Sequence, residues 1–397
     1  MTARIHLLDF LRGSAVLGML VVNMPWHAGD SMARVYDPDV ASVAAWLSQY
    51  LIFDQRFMPI FAMLFGSGLL LMHRPEKPLG PFAPYYLKRM AILLAIGICH
   101  AYLLWPGDIL ITYAVCGPFL LLALHLSPAR LIVIGIALKM LNMAFNQWPE
   151  LYELTVEAML FTWWVDYGDA PSTINQAYAG GYGDLFRYNV WRNQFIQWTA
   201  LPYFRVWNAL GFMLIGMGLF KLGIIQGLRS PAFYRSLAVW ALVAGIPLVL
   251  YGIVARIGVN ETVGPYLGFT SELPLSGITF LTGCAITSLA MLSGLNILHP
   301  MLPIWWRTSI ERVGRMALTN YLMQSVLILL LFHGLKLLPF DALDPDALFG
   351  LTVAVWLIQI GFSRLWLSHH DQGPVEALWR RLCGPNPSSA GAKLSAA

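Results

Sequence analysis

Charge is the first thing this chain lacks. Only 12% of its 397 residues are Asp, Glu, Lys or Arg, about half of the roughly 25% usual in soluble domains. A surface hydrated on every side is therefore excluded. Cysteine is scarce too, with four residues and no CxxC or metal-ligand spacing among them, so neither a disulfide framework nor a zinc site is expected. Neither GxGxxG nor GxxxxGK[ST] occurs, which removes the familiar phosphate-binding loops. No internal repeat of the inverted kind that marks many transporters is visible. The formal net charge is +4, but the basic residues are scattered over many loops, and no nucleic-acid partner is expected.

Apolar residues are what the chain has in abundance. They make up 58% of it and fall in blocks near the ~20 residues that cross ~30 Å of hydrocarbon. The reading is an all-α membrane protein, a polytopic bundle of about ten transmembrane helices. The spans fall near 7–24, 54–72, 87–105, 108–126, 129–147, 201–222, 236–257, 273–296, 313–334 and 347–367. Pro59 and Pro202 mark the starts of the second and sixth. The first block has no small-residue cleavage site after it and reads as a retained helix, not a signal peptide. With the N-terminus inside, most of the 25 Lys and Arg residues face the cytoplasm, as topology rules require. Both termini are then cytoplasmic, in a multi-pass protein of the bacterial inner membrane. Residues 1–380 form one transmembrane domain. Residues 148–200 form an external aromatic-rich loop with helices along the membrane surface. Gly180, Gly181 and Gly183 are its turn points, suiting either a lid or a structural cap. Residues 384–397, "GPNPSSAGAKLSAA", read as a disordered tail.

The opening helix carries polar groups where they are expensive. "RIHLLDFLRGSAVLGMLVVNMPWHAG" has Asp9 and Arg12 at one end, and Asn23 and His27 at or beyond the other. Such groups usually face a bundle interior or a water-filled cavity. Arg12 and Asn23 are eleven residues apart, close to three turns, and lie on one stripe. Asp9 is within reach of Arg12 at i,i+3, although a simple ion pair at the helix start explains both. Pro25 is expected to break the helix, freeing His27 to turn back over the stripe or to be a bystander in a loop.

A second constellation lies in "LLAIGICHAYLLWPGDILITYAVCGPFLLL", two spans joined by Trp105, Pro106 and Gly107. His100 lies more than a turn inside its span, where an uncompensated imidazole is costly. Asp108 opens the next helix, and N-capping alone accounts for it. Asp54 and Arg56 stand at the start of the second span. The expected topology gathers Asn23, His27, Asp54, His100 and Asp108 toward the outer leaflet. Two imidazoles among carboxylates supply a group that titrates near neutrality and a partner to orient it.

The opposite face offers positive charge: Arg12, Lys88, Arg89, Arg312, Arg315 and Arg364. In "ERVGRMALTNYLMQS", Arg315 and Thr319 share a face, and Asn320 and Gln324 form a second polar stripe. These could line a channel for a phosphorylated ligand, or Arg could simply follow the positive-inside pattern. Gly66, Gly68, Gly211, Gly216, Gly218 and Gly223 are expected to permit close helix packing.

Six blocks together resemble the YeiB-like family of bacterial inner-membrane proteins: "LLDFLRGSAVLGMLVVN", "FMPIFAMLFGSGL", "GICHAYLLWPGDILITYAVCG", "LGFMLIGMGLFKLGI", "GRMALTNYLMQS" and "GPVEALWR". The N-terminal half of that family is similar to a broader transmembrane acyltransferase superfamily. It includes heparan-alpha-glucosaminide N-acetyltransferase and the O-acetyltransferases of bacterial envelope sugars. The resemblance implies a donor, acyl-CoA and in particular acetyl-CoA, on the cytoplasmic side. It implies a glycan or small-molecule acceptor outside, with no metal. Asp9, Arg12 and Gly13 match the "LDxxRG" start. Asn23 stands where the O-acetyltransferases carry a His, so catalysis would rest on His27 or His100. Asp54 resembles an Asp before the second apolar run of the heparan enzyme. On this reading Arg12, Asp9, Arg315, Asn320 and Thr319 serve the donor, and His27, His100, Asp54, Asp108 and Asn23 the chemistry. A proton-coupled transporter or exporter using the same His and Asp residues is the alternative, and a non-catalytic membrane partner the third. The lipid bilayer is the one certain surround, and a homo-oligomer is compatible with the sequence.

Overall fold

The computed structural model describes residues 5–28, 49–73, 78–147, 174–258, 276–338, 340, 343 and 345–387. Among them every regular element is helical. An apolar run in hydrocarbon has no water for its backbone, and a helix pairs all of its N–H and C=O groups internally. The helices are α1 His6–Ala28, α2 Phe57–Met72, α3 Leu79–Leu103, α4 Leu110–Leu122, α5 Pro128–Gln147, α6 Ile174–Ala179 and α7 Tyr182–Phe195. They continue with α8 Val206–Lys221, α9 Pro231–Gly258, α10 Ser276–Met301, α11 Ile304–Arg315, α12 Ala317–Leu329, α13 Pro345–His369 and α14 Pro374–Cys383. Wide π-type turns precede α2 and α8 and extend α12.

Among the described residues, 8 helical stretches are long and apolar enough to cross a membrane: His6–His27, Leu51–Met72, Leu79–Leu103, Ala200–Lys221, Pro231–Ile253, Gly277–Met301, Ala317–Gly334 and Asp346–His369. The two other expected spans are also helices, α4 with 13 residues and α5 with 20. Large apolar side chains such as Leu122, Val133, Met140, Val239, Trp240 and Leu365 stand exposed on the helix flanks. In water they would be a liability, and against lipid they are the ordinary surface. The chain is a multi-pass helical membrane protein. Residues 148–173 of the expected external loop and 388–397 of the expected tail lie outside the described residues.

Two expectations need correcting. Pro25 does not end the first helix, which runs on to Ala28. Only three residues follow the proline, so the lost hydrogen bond falls in a terminal turn whose groups are poorly satisfied anyway. His27 consequently stays on α1 and is 3% exposed, not in an open loop. The glycines also divide. A Cβ at Gly66 would lie 2.2 Å from the Met213 carbonyl, one at Gly216 2.2 Å from the Met63 carbonyl, and one at Gly211 2.8 Å from the Gly135 carbonyl. A Cβ at Gly218 would meet Ile132 at 2.7 Å. Those four seat α8 against α2 and α5. Gly68 faces open space, and Gly223 has φ +74° in the turn after α8, a left-handed conformation that glycine adopts without strain.

The closest crossing is between α1 and α11. A Cβ on Gly314 would lie 1.8 Å from the Asp9 carbonyl oxygen, and one on Gly13 2.1 Å from the Ile310 carbonyl oxygen. Close backbone approach substitutes for the hydrophobic drive that lipid removes. Glu311, on α11, also hydrogen-bonds His6 and His299 at 3.0 Å each. Gly314→Ala should therefore destabilise the protein by about 1–3 kcal/mol or more, the usual range for overpacking. Thermal unfolding in detergent should show it, with Gly361→Ala, whose Cβ would meet nothing within 4 Å, close to wild type.

Candidate functional site: a buried His, Asp and Ser chain beside an arginine-lined cavity

The end of α3 has a backbone problem. Its last carbonyls have no partner within the helix, and α7 supplies them. Asn193 Nδ2 donates to the Ala101 carbonyl at 2.8 Å, Asn189 Nδ2 to Tyr102 at 3.3 Å, and the Tyr182 hydroxyl to Leu103 at 2.8 Å. The start of α7 is pinned in turn by Asp184. Its carboxylate accepts the Arg187 guanidinium at 2.5 Å and the Gly181 N–H at 2.9 Å, and both hold it below the usual carboxylate pKa range. This part of the expected external loop is a clamp on α3.

The clamp fixes the turn that carries the site. Trp105 folds back over Gly107, where a Cβ would lie 2.2 Å from the indole, and its ring stacks on His27 at 4.0 Å. Asp108 then divides its two oxygens. Oδ2 accepts the Ile111 N–H at 2.7 Å as the cap of α4, and Oδ1 lies 2.7 Å from His100 Nδ1. Its backbone carbonyl accepts Arg205 at 3.0 Å. His100 Nε2 meets the Ser325 hydroxyl of α12 at 2.9 Å. Tyr321, one turn before Ser325, lies over the His100 ring at 5.0 Å and accepts the Ile109 N–H at 3.2 Å. His100, Asp108 and Ser325 are each 2% exposed. A neutral imidazole carries one N–H. With that proton on Nδ1 toward the carboxylate, Nε2 is a base pointing at a hydroxyl.

A cavity of about 310 Å³ leads to this place. Its lining includes Arg12, Arg89 and Arg315 at one end, Leu64, Phe65 and Leu93 between, and Tyr113 and Tyr321 by the site. The Arg89 guanidinium lies 3.5 Å over the Trp379 ring of α14, and among the described residues no carboxylate pairs with it. Arg12 holds Asp9 at 3.2 Å, and Arg315 donates to the Asp371 carbonyl at 2.6 Å. A smaller space of about 100 Å³, lined by Gly107, Ile109, Thr112, Arg205 and Asn208, also reaches Tyr113. The Tyr113 hydroxyl is buried and has no hydrogen-bond partner among the described residues.

Residues 219–384 match the model of a family described as "Protein of unknown function (DUF418)". The chain is 28% identical over 396 residues to "Uncharacterized protein YeiB" of Escherichia coli K12, covering 94% of this chain and 95% of that one. It is 27% identical over 400 residues to "Uncharacterized protein YxaH" of Bacillus subtilis 168, covering 95% and 93%. Over nearly its whole length the chain is similar to these YeiB-like proteins.

The expected site residues fall into three groups, with Asn23 and Asp54 outside them. His27, His100 and Asp108 come together around Trp105. Asp9, Arg12 and Arg315 lie at the arginine end, with Arg12 about 22 Å from His27 along α1 at 1.5 Å per residue. Thr319 and Asn320 are occupied inside the bundle. Thr319 donates to Glu376 at 2.5 Å, and Asn320 to the Val313 carbonyl at 3.1 Å and Ser363 at 3.0 Å. Gln324 likewise donates to the Val16 carbonyl at 3.1 Å. That stripe packs helices and does not line the cavity. Asn23 is partly exposed on α1, and Asp54 receives the Arg56 guanidinium on its carbonyl. Ser325, Tyr321 and Tyr113 were not anticipated. The only trace of Ser325 in the sequence is its place one turn beyond Tyr321 on a helix already marked as polar.

Asp108 closes α4 and holds His100 at once, so its replacement should be costly twice over. Asp108→Ala should lower stability by about 1–3 kcal/mol or more for the orphaned buried partner. Asp108→Asn, which keeps an oxygen for the cap, should lose less. Thermal unfolding of the purified variants gives the order.

Proposed function

We propose that the chain is an integral-membrane acyltransferase that takes an acyl group from cytoplasmic acyl-CoA and delivers it to an acceptor on the outer side. The observation that carries this reading is the cavity that begins among Arg12, Arg89 and Arg315 and ends at Tyr321, against the His100–Asp108–Ser325 chain. Guanidinium groups match phosphate oxygens in forked geometry, and the apolar middle suits a thioester arm with a short acyl end, acetyl above all. His100 is then the general base and Asp108 its orienter. His27, stacked on Trp105, forms the wall beside them, with Asn23 one turn away and Asp54 at the neighbouring helix start. Arg205 stands by Asp108 on the side of the smaller cavity, where a glycan or small-molecule acceptor would enter. Asp9 supports Arg12, and Thr319 and Asn320 support α12 from within.

In this account the chain has ten spans with both termini in the cytoplasm, in a bacterial inner membrane. Reporter fusions after Met72 and Leu228 should read cytoplasmic, and one after Gly180 should read external. A cytoplasmic reading at Gly180 removes the outward side of the path.

A proton-coupled exporter is the second reading, and the two cavities that meet at Tyr113 favour it. Labelled acetyl-CoA given to membranes with and without the chain separates the two. Transfer of label to envelope material should depend on the chain. His100→Gln should reduce it by ~10²–10⁴, the usual contribution of a general base. Arg315→Ala should weaken acyl-CoA binding more than Arg315→Lys, since lysine keeps the charge without the fork. Wild-type membranes that transfer no label, yet move a solute against a proton gradient, favour the exporter.

A further inference from the structure

Several buried hydroxyls on the described helices turn back on their own backbone, whereas Thr319 and Ser363 meet polar side chains of neighbouring helices. Ser67 donates to Met63, Thr287 to Gly283 and Ser293 to Leu289, each at 2.8 Å. Ser309 donates to Trp305 at 2.6 Å and Thr352 to Leu348 at 2.9 Å. In every case the acceptor is the carbonyl four residues earlier, which fully satisfies a hydroxyl in an apolar bundle. Ser325 is as buried as these, and its hydroxyl lies instead 2.9 Å from His100 Nε2. Beyond the imidazole, Nδ1 lies 2.7 Å from a carboxylate that is itself anchored by the Ile111 N–H. With the imidazole proton on Nδ1 toward Asp108, Nε2 can only accept, and the serine O–H then donates to it. Hydroxyl, imidazole and carboxylate stand in the order that activates a serine for attack on an acyl carbon.

We infer that Ser325 is the nucleophile of this site and holds the acyl group as an ester between donor and acceptor. The inference rests on the acyl-transfer reading and adds a covalent step to it. His100 Nε2 takes the Ser325 proton while Oγ bonds to the thioester carbonyl carbon. The C–S bond breaks, and the departing thiolate takes that proton from the imidazolium, leaving acyl-serine and free thiol. An acceptor hydroxyl or amine then gives its proton to Nε2 and attacks the ester carbon. The C–Oγ bond breaks, and the proton returns to Ser325. Donor and acceptor are consumed one for one, and no other reactant is needed. Tyr321 lies four residues before Ser325, about 6 Å along the helix at 1.5 Å per residue. Its ring both lines the donor cavity and covers His100, so the acyl end passes one side chain to reach the hydroxyl.

The full-length protein in detergent, treated separately with acetyl-CoA without acceptor and with a fluorophosphonate, tests this by peptide mass spectrometry. The fluorophosphonate reports an activated serine without involving CoA. The wild type should carry both an acetyl group and the phosphonate on Ser325. His100→Gln should lose both by roughly tenfold or more, as for a missing base. Ser325→Ala should carry neither and should stop label transfer in membranes. A phosphonate on Ser325 with no acetyl group supports the nucleophile and fails the donor assignment. No adduct on folded wild type, with transfer from acetyl-CoA continuing in Ser325→Ala, overturns the nucleophile and leaves His100 as a base acting directly on the acceptor. Both wild-type arms can be read even where Ser325→Ala does not fold.

Discussion

A polar group inside a bilayer has no water to fall back on and is costly unless it finds a partner within the chain. The end of α3 shows the consequence. The Ala101, Tyr102 and Leu103 carbonyls need donors and receive them from α7. His100 needs two partners and finds them in Asp108, just before α4, and in Ser325 of α12. Asp108 needs donors for both oxygens and obtains one from α4, the other from His100. Four separate segments are tied to one imidazole and its helix end. The His100, Asp108 and Ser325 side chains each have a partner in this network, and fixed geometry is what a pre-arranged base requires.

The same constraint places α12. Its first N–H groups have no carbonyl behind them, and Glu376 from α14 accepts those of Leu318 at 2.8 Å and Thr319 at 3.0 Å. A carboxylate at a helix N-terminus also complements the helix dipole. Further along, Gln359 of α13 donates to the Asn320 carbonyl at 2.9 Å and accepts Gln324 at 3.2 Å. These bonds hold the helix in a fixed rotation. Tyr321 and Ser325 face the site because Asn320 and Gln324 face the other way. Residues that seemed to belong to a ligand channel thus act one step back, by aiming the residues that do.

The fold was largely legible in the sequence because span length and loop charge are coarse, additive signals. Eight of the ten expected spans coincide with described helices long and apolar enough to cross a membrane, and the other two with α4 and α5. The Pro25 break was misread because proline's cost depends on how much helix remains beyond it, and here only three residues do. Of the site, the sequence placed His100 and Asp108 on either side of a Trp-Pro-Gly turn, but it left both His27 and His100 as the base and both Asp54 and Asp108 as its partner. Ser325 was not visible, since it lies 225 residues from His100 and its sequence neighbours are equally polar. Which of Thr319, Asn320, Gln324 and Ser325 meets the site depends on the rotation of α12. Glu376 and Gln359 set that rotation, and nothing near α12 in the sequence announces it. The glycine contacts divide for a similar reason: Gly66 and Gly68 read alike, yet only Gly66 meets a neighbouring backbone.

The central claim is that one ligand lies between the arginines and the tyrosines, with its acyl end at His100. Photo-cross-linking with an acyl-CoA that carries a diazirine at the acyl terminus measures this directly on the purified protein. The account predicts cross-links on the α4 and α12 peptides that contain Tyr113 and Tyr321, competed by excess acetyl-CoA and weakened in Arg315→Ala. Cross-links confined to lipid-facing residues such as Val239 and Trp240, unaffected by acetyl-CoA, would contradict it.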